Sequence, residues 1–432
     1  MNILALNMAF KLYTNRQRGK KASRPVLGSI LGIALSMVPL VVVLFMSDGM
    51  IRGITDRFIE TGTYHIQLRN FQTIQKDEKQ RVIDELKELA EVNAVFREHR
   101  GMGMAYTLEG QSAVTVRGLE QDIYNYDEGF KRYLSINEGS FDLSRDNFAI
   151  IGGETARKLN LSIGDEFRIL TGKTLTTGKY IPKISRFIVK GIFSTGYQDL
   201  DKMWVLIPYE RAVKILQDSE AMTFTGLKID DPYGDLSTVM KNIKDILPGR
   251  WGIYSWKTLN RSQQSNFQTT RSLLVFIMVL IVLVAVMNIS SSMVMLVMEN
   301  EQSIGIQKCM GLSPRTLSSQ YVITAAMAGA SGSLIGILGG SFISVYLNEI
   351  VGSVEALLNG AIFLLSSLWG HSAYSHVELL NSAYYLNEIP VEIRIDLLLI
   401  IFLLTVLLSI VASFVPVRKA GSIKPLDILR KH

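Results

Sequence analysis

Four long apolar stretches, unevenly spaced, constrain this chain more than any other feature. Residues 26–45 stand alone near the N-terminus, whereas 273–297, 321–347 and 397–415 crowd the C-terminal part. Each is long enough to cross a hydrocarbon layer of roughly 30 Å at a helical rise of about 1.5 Å per residue. A long polar insertion separates the first from the other three. One span, a large external domain and three further spans suit a protein that couples the two sides of a membrane.

Of the 432 residues 48% are hydrophobic, and the charged 19% sit mainly between Asp48 and Arg271. That segregation predicts one membrane domain and one globular domain of roughly two hundred residues, large enough to hold its own core. The net charge of +6 is placed by topology. Lys11, Arg16, Arg18, Lys20, Lys21 and Arg24 precede the first span, and Arg418, Lys419, Lys424, Arg430 and Lys431 follow the last. Both ends therefore read as cytoplasmic, as an even number of spans also requires. The basic excess points to the membrane and not to nucleic acid. The loop 298–320 is then cytoplasmic and the long insertion external. The first span has the basic flank of a secretory signal, but Met46-Ser47-Asp48-Gly49-Met50 is a poor cleavage site, so an uncleaved anchor is expected.

Catalytic and metal signatures are missing from the sequence. His65, His99, His371, His376 and His432 show no ligand spacing, so no metal is expected. The single cysteine, Cys309, falls in the cytoplasmic loop, which leaves the external domain without an internal disulfide. Gly172-Lys173-Thr174 looks like the end of a nucleotide-binding loop, but the glycine required five positions earlier is Phe167. No nucleotide site, and no cofactor, is expected in this chain.

The insertion reads as mixed α/β. Residues 64–68, 148–151, 166–170, 186–193, 203–207 and 226–229 have strand character, and 104–108 with 113–117 form a hairpin around Gly110-Gln111. Residues 77–92, 154–159, 209–216 and 236–247 read as helices, and 258–270 as a polar helix that runs into the second span. Before the first span, Ile3, Leu6, Phe10 and Tyr13 recur at helical spacing, which predicts a short amphipathic helix on the inner membrane face. A polar stretch, 172–183, interrupts two strands and reads as a protruding arm with apolar Tyr180, Ile181 and Pro182 near its tip. Such an arm suits docking of another protein. Residues 354–369 are apolar but short, and contain Glu355 and Asn359. They read as an external interfacial or re-entrant element.

The loop after the second span carries the sharpest motif. Glu301-Gln302-Ser303-Ile304-Gly305-Ile306-Gln307-Lys308-Cys309-Met310-Gly311 predicts a short helix, with Ile304, Ile306 and Met310 as an apolar ridge and Gly311 ending it before Ser313-Pro314. Such a ridge at a membrane surface fits a groove on a cytoplasmic protein.

This loop resembles the coupling helix of ABC-transporter permeases of the MacB/FtsX superfamily, E-K-R-x-E-I-x-I-x-K-x-x-G-A-S. The likeness is strongest to the lipoprotein-releasing permeases LolC and LolE. Phe45-Met46-Ser47-Asp48-Gly49-Met50 resembles their S-V-M-N-G-F, and Ala383-Tyr384-Tyr385-Leu386 with Ile389-Pro390-Val391 their Y-Y-L-D-x-(L/I)-P-V. Gly152-Gly153-Glu154-Thr155-Ala156 with 161–165 resembles G-x-x-L-A-x-x-L-x-(V/L)-x-x-G-D, and the tail 415–430 resembles P-A-R-R-A-A-x-x-x-P-x-x-A-L-R. Asn300 and Gln302 replace residues that are usually basic, and the insertion 351–381 is enlarged.

The resemblance implies four transmembrane helices plus a mixed α/β periplasmic domain inserted between the first and second, the type VII ABC permease arrangement. The boundaries expected are a cytoplasmic segment 1–25, spans 26–47, 272–298, 319–347 and 395–415, a periplasmic domain 48–271, a coupling loop 299–318, a periplasmic loop 348–394 and a tail 416–432. It implies a bacterial inner-membrane permease that moves lipoproteins. Its partners would be a LolD-like ABC ATPase dimer binding ATP and Mg, a second permease that is a copy or a paralogue, a LolA-like periplasmic carrier, and membrane lipids. Glu301, Ile304, Ile306, Lys308, Met310 and Gly311 would couple to the ATPase. Tyr180, Ile181 and Pro182 would dock the carrier as the family's hook. Met37, Val41, Val42, Phe45, Met46, Leu274 and Met278 would line a cargo cavity. Two alternatives within the superfamily are a MacB-like exporter of peptides or drugs and an FtsX-like signalling protein that controls a cell-wall hydrolase.

Overall fold

The computed structural model describes residues 3–14, 24–70, 76–174, 180–217, 221–247, 249, 251–369 and 390–422. The chain divides into two compact units, one of Met1–Met50, Phe267–Val377 and Pro390–His432, the other of Ile51–Asn266 with Glu378–Ile389. Among the described residues four helices are long and apolar enough to cross a membrane. The first span helix is Arg24–Phe58, the second Arg261–Glu299, the third Pro314–Val345 and the fourth Ile395–Ser422. The first two run past their apolar stretches, because hydropathy ends where helical structure does not. Beyond Ser47 the residues Asp48, Arg52 and Asp56 recur every fourth position, which gives one polar helical face.

In the membrane unit the third span is built for close approach. Gly332, Gly336 and Gly340 share one face. A Cβ at these positions would lie 2.9 Å from Ile33 Cβ, 2.5 Å from Met37 Cβ and 2.8 Å from Val41 Cβ on the first span. Lipid supplies no hydrophobic force between helices, so backbone proximity and dense van der Waals contact must hold them. One turn earlier on the same stripe, Gly329 meets the Ser409 side chain and the Thr405 carbonyl of the fourth span, where Thr405, Ser409 and Ser413 are buried. Their hydroxyls donate back to helix carbonyls, Thr405 to Ile401 at 2.8 Å and Ser409 to Thr405 at 2.6 Å, which removes unsatisfied polar atoms from the interior. The N-terminal helix Ile3–Thr14 buries Ala5 and Ala9 and leaves Leu6 and Phe10 exposed. Residues 354–369 belong to a helix, Leu347–Trp369, that begins directly after the third span, so the expected interfacial element is regular helix there. The rest of the insertion, with His371, His376 and the Tyr384-Tyr385-Leu386 motif, lies outside the described residues, as do Arg16, Arg18, Lys20, Lys21 and the tail beyond Ser422.

The globular unit is one ten-stranded sheet carrying helices. Its strands are β1 (Ile66–Asn70), β2 (Val92–Tyr106), β3 (Gln111–Leu119), β4 (Ser135–Gly139) and β5 (Phe148–Gly152). They continue with β6 (Glu166–Thr174), β7 (Tyr180–Ser194), β8 (Trp204–Pro208), β9 (Met222–Ile229) and β10 (Trp251–Ser255). The order is β10-β1-β9-β2-β3-β8-β5-β7-β4, with β6 pairing β2 and β7. The β3–β8 and β5–β7 pairs are parallel and the remainder antiparallel. The helix Lys76–Lys87 turns Val82, Ile83 and Leu86 onto Ile66, Leu68 and Leu227, where Ile243 of the helix Leu236–Ile246 joins them.

Strand β2 is far longer than the hairpin arm expected from its sequence. Within Arg97-Glu98-His99-Arg100, Glu98 is fully buried. Its carboxylate accepts from Arg117 Nη2 at 2.7 Å, Arg100 Nε at 2.8 Å and the Tyr64 hydroxyl at 3.0 Å. Arg117, also fully buried, lies over the Trp204 ring at 4.2 Å. Burial alone would raise the Glu98 pKa, but Arg100 and Arg117 outweigh it and hold the carboxyl below its ordinary value.

Two outcomes follow from these contacts. Replacing Glu98→Gln leaves buried Arg117 without its counter-charge, so unfolding of the purified chain at pH 7 should show a loss of about 3 kcal/mol. The folded pKa lies below the unfolded one, so this stabilisation is complete above the unfolded value and disappears as pH falls through the folded value. The gap between wild type and Glu98→Gln should therefore narrow below about pH 4, and a gap that does not change with pH would contradict the assignment. In the membrane unit, Gly336→Ala should lower stability in detergent by about 1–3 kcal/mol through overpacking. Gly339→Ala is the control, because its Cβ would sit an ordinary 3.5 Å from Val38.

Candidate functional site

The coupling loop predicted from its motif forms a capped helix, Glu301–Cys309. Asn300 breaks the second span helix at φ −99° and ψ 10°, and its side-chain amide donates to the Leu296 carbonyl at 2.8 Å. Glu301 occupies the first turn and Lys308 the last, each at the end where the helix dipole favours its charge. Gly311 takes φ +91°, a left-handed conformation that favours glycine, and Leu312 N–H closes the end on the Gln307 carbonyl at 3.1 Å. Ser313 Oγ then accepts from Thr316 N–H at 3.2 Å, and Pro314 opens the third span. The segment is thus fixed at both ends by local chemistry.

The expected ridge of Ile304, Ile306 and Met310 is split by the structure. Ile304 is 1% exposed and joins the core that contains Leu296, Leu317 and Tyr321. Ile306 and Met310 are 55% and 69% exposed. The reason is helical geometry: positions two apart diverge by about 200°, whereas positions four apart share a face. Ile304 anchors the segment to the spans, and Ile306 with Met310 offers the apolar surface. Glu301, Cys309 and Gly311 are exposed, and Lys308 is half-buried.

The arm is a two-stranded extension of β6 and β7, in which Lys173 pairs with Ile181 and Gly172 with Pro182. Ile181 is 43% exposed, and Pro182 is exposed beside it. Residues 175–179 and the Tyr180 side chain lie outside the described residues. The proposed cavity residues separate into two groups. Met37, Val41 and Phe45 are fully buried, Met37 and Val41 against the third-span glycines, so within a single chain they have no surface to offer. Val42, Met46, Leu274 and Met278 are half-buried.

Two polar constellations escape the motif search. In the membrane unit, Asp48 at the end of the first apolar stretch faces Arg271 at 3.5 Å and Arg394 at 3.8 Å, and Gly49 lies directly against the Pro390 carbonyl. The Asp48-Gly49 and Pro390-Val391 motifs, far apart in sequence, are therefore one contact. In the globular unit the first span helix ends in a π-turn, Ile59–Thr63, where Glu60 accepts from buried Lys228 at 2.6 Å and faces His65 Nε2 at 3.0 Å. Lys228 also donates to Asp127 at 2.6 Å, and Arg57 donates to the Thr195 carbonyl at 2.7 Å. The signal available was the four-residue recurrence of polar side chains after Ser47, which a hydropathy reading treats as the end of a span.

The comparisons with known proteins agree with this architecture. Residues 26–246 match the family described as MacB-like periplasmic core domain, and residues 275–425 the family described as FtsX-like permease C-terminal. The chain is 23% identical to the lipoprotein-releasing system transmembrane protein LolC of Xylella fastidiosa (strain 9a5c), over 99% of both chains. It is 23% identical to LolC of Neisseria meningitidis serogroup B, over 93% of both. It is 21% identical to LolE of Haemophilus influenzae, over 99% of this chain and 100% of that one. The chain belongs to the MacB/FtsX superfamily as a LolC/LolE-type ABC permease, with a four-helix membrane domain and an α/β periplasmic domain inserted between its first and second helices.

Proposed function

We propose that this chain is the permease subunit of a transporter that extracts lipoproteins from the outer leaflet of a bacterial inner membrane and passes them to a periplasmic carrier. The observation that carries the reading is likeness to LolC and LolE over 99% of the chain. The capped segment Glu301–Cys309 with its exposed Ile306–Met310 pair supports it. In this reading a separate ATPase dimer binds ATP and Mg and pushes on Ile306 and Met310, while Ile304 transmits the push into the spans. A second permease, a copy or a paralogue, covers apolar faces of the spans. Both termini are cytoplasmic.

Cargo chemistry explains why such a machine needs a lined cavity. Exposing an acyl chain to water costs about 0.8 kcal/mol per CH₂, which amounts to tens of kcal/mol for several long chains. Val42, Met46, Leu274 and Met278 are the candidates that retain accessible surface, together with exposed Leu35 and Val43 on the first span. Ile181 and Pro182 on the arm then meet the carrier.

Release of acylated protein from proteoliposomes, with the cognate ATPase and a periplasmic carrier, tests the function. Deleting residues 174–183 should abolish transfer to the carrier and leave ATPase assembly intact. If wild type assembles with the ATPase but releases no lipoprotein, the function moves to export of other cargo or to signalling. Ile306→Asp or Met310→Asp should weaken ATPase binding by at least about tenfold, as expected for a charge placed in an apolar groove, with no change in the chain's unfolding. Ile304→Ala should behave in the opposite way and destabilise the chain by about 2–4 kcal/mol. ATPase pull-down and thermal unfolding of the same variants separate the two roles.

A further inference from the structure

Within the globular unit, residues 51–58 finish the first span helix and residues 256–266 lead into the second. One surface turn, 230–235, touches both. Its central side chain is Tyr233, 38% exposed. The Tyr233 hydroxyl donates to the Asp56 carboxylate, and the Arg52 guanidinium lies 5.4 Å from the ring centroid. Arg52 and Asp56 are four residues apart, so one helical face presents a cation to the ring and an acceptor to its hydroxyl. On the other side Trp256 meets the Tyr233 ring edge-on, with centroids 5.3 Å apart and planes at 75°. Trp256 Nε1 donates to the Pro232 carbonyl at 2.7 Å, and Lys257 Nζ donates to the Tyr233 carbonyl at 3.1 Å and to the Gly234 carbonyl at 3.3 Å.

The turn itself is held firmly. Asp231 accepts from the Tyr233 and Gly234 amides, each at 3.1 Å, and Asp235 caps the next helix by accepting from Ser237 N–H at 3.0 Å. A braced turn with a rigid aromatic at its apex suits the transfer of displacement between two helices better than an extended loop. The residues just after 51–58 also touch the second segment directly: Asn260 Nδ2 donates to Thr63 Oγ1 at 3.3 Å, and Trp256 N–H to the His65 carbonyl at 3.0 Å.

We propose that Tyr233 is a positioning residue, the joint through which the ends of the first two span helices move as one during the transport cycle. The proposal rests on the permease reading for its place in a cycle, and on the contacts above for the joint itself. The Tyr233–Asp56 bond is the element to test, because it is charge-assisted and near the surface. It is strong enough to transmit motion and lies outside the packed core.

Hydrogen exchange on the full chain in lipid nanodiscs tests the joint without cargo or ATPase. Tyr233→Phe keeps the ring and removes the donor, so global folding is preserved. It should speed exchange about tenfold or more in both 51–58 and 256–264, the factor expected for loss of a hydrogen bond to a charged group. Strand β5 should not change. The double variant Tyr233→Phe with Asp56→Ala should exchange no faster than Asp56→Ala alone, because that change already removes the acceptor of Tyr233 together with that of the Tyr133 hydroxyl at 3.4 Å. Acceleration confined to the turn 230–235, or additive effects in the double variant, would overturn the joint. In the release assay Tyr233→Phe should lower lipoprotein released per ATP by about tenfold at unchanged basal hydrolysis, and release equal to wild type would likewise count against it. If wild type releases nothing, the transport reading fails while the exchange comparison still decides the joint.

Discussion

The globular unit depends on one buried charge. Glu98 stands in the middle of β2 with no solvent, and three donors converge on its carboxylate. Arg117 brings β3 and, through its stacking on Trp204, β8. Arg100 also donates to the Gly62 carbonyl at 2.7 Å, and Tyr64 follows the π-turn. A single anion therefore fixes neighbouring strands and the point where the first span helix delivers its chain to the sheet. A hydrophobic cluster of the same volume would not specify those partners, because apolar contacts are not directional. An unmatched charge would be costly to bury, so only one arrangement satisfies all three donors.

The two units use different physics for the same task of holding helices and strands in register. Water drives the globular core together, and the buried ion clusters then select one packing. In the membrane unit lipid is as apolar as the side chains, so the third-span glycines do the selecting by admitting the first span to near backbone contact. Charges appear in that unit where the apolar stretches end, with Asp48 between Arg271 and Arg394. The helix Glu301–Cys309 belongs to the membrane unit. Ile304 faces its core, whereas Ile306 and Met310 are exposed among polar neighbours.

Contact chemistry also relates the motifs to one another. Asp48-Gly49 and Pro390-Val391 are separate signatures in the sequence and one junction in space, with Gly49 leaving room for the Pro390 carbonyl. In the polar run after Ser47, Asp56 and Glu60 reach Tyr233 and Lys228, and Arg57 beside them reaches Thr195.

Several features were legible from the chain alone because they depend on one-dimensional quantities. Span number follows from apolar length, and the end of the short helix after the second span from Gly311 ahead of Ser313-Pro314. The hairpin around Gly110-Gln111 follows from its turn residues, and β5 from an uninterrupted apolar run. The family likeness follows from motifs in order. The tertiary structure alone decided which face each residue takes. Ile304 and Ile306 are equally apolar, and only packing against Leu296 and Leu317 buries one and leaves the other outside. Met37 and Val41 look like cavity residues until the glycines opposite them are known. Within the run Arg97-Glu98-His99-Arg100, Glu98 is buried because Arg117 joins Arg100 in neutralising it and the Tyr64 hydroxyl donates to it. Strand β4 was missed because its residues are polar and mostly exposed, and β10 because it is a short half-buried run interrupted by Gly252; both lie at sheet edges, where the strand state is set by the single neighbour each pairs with. Local sequence specifies period and punctuation, whereas burial is a property of partners brought together from elsewhere in the chain.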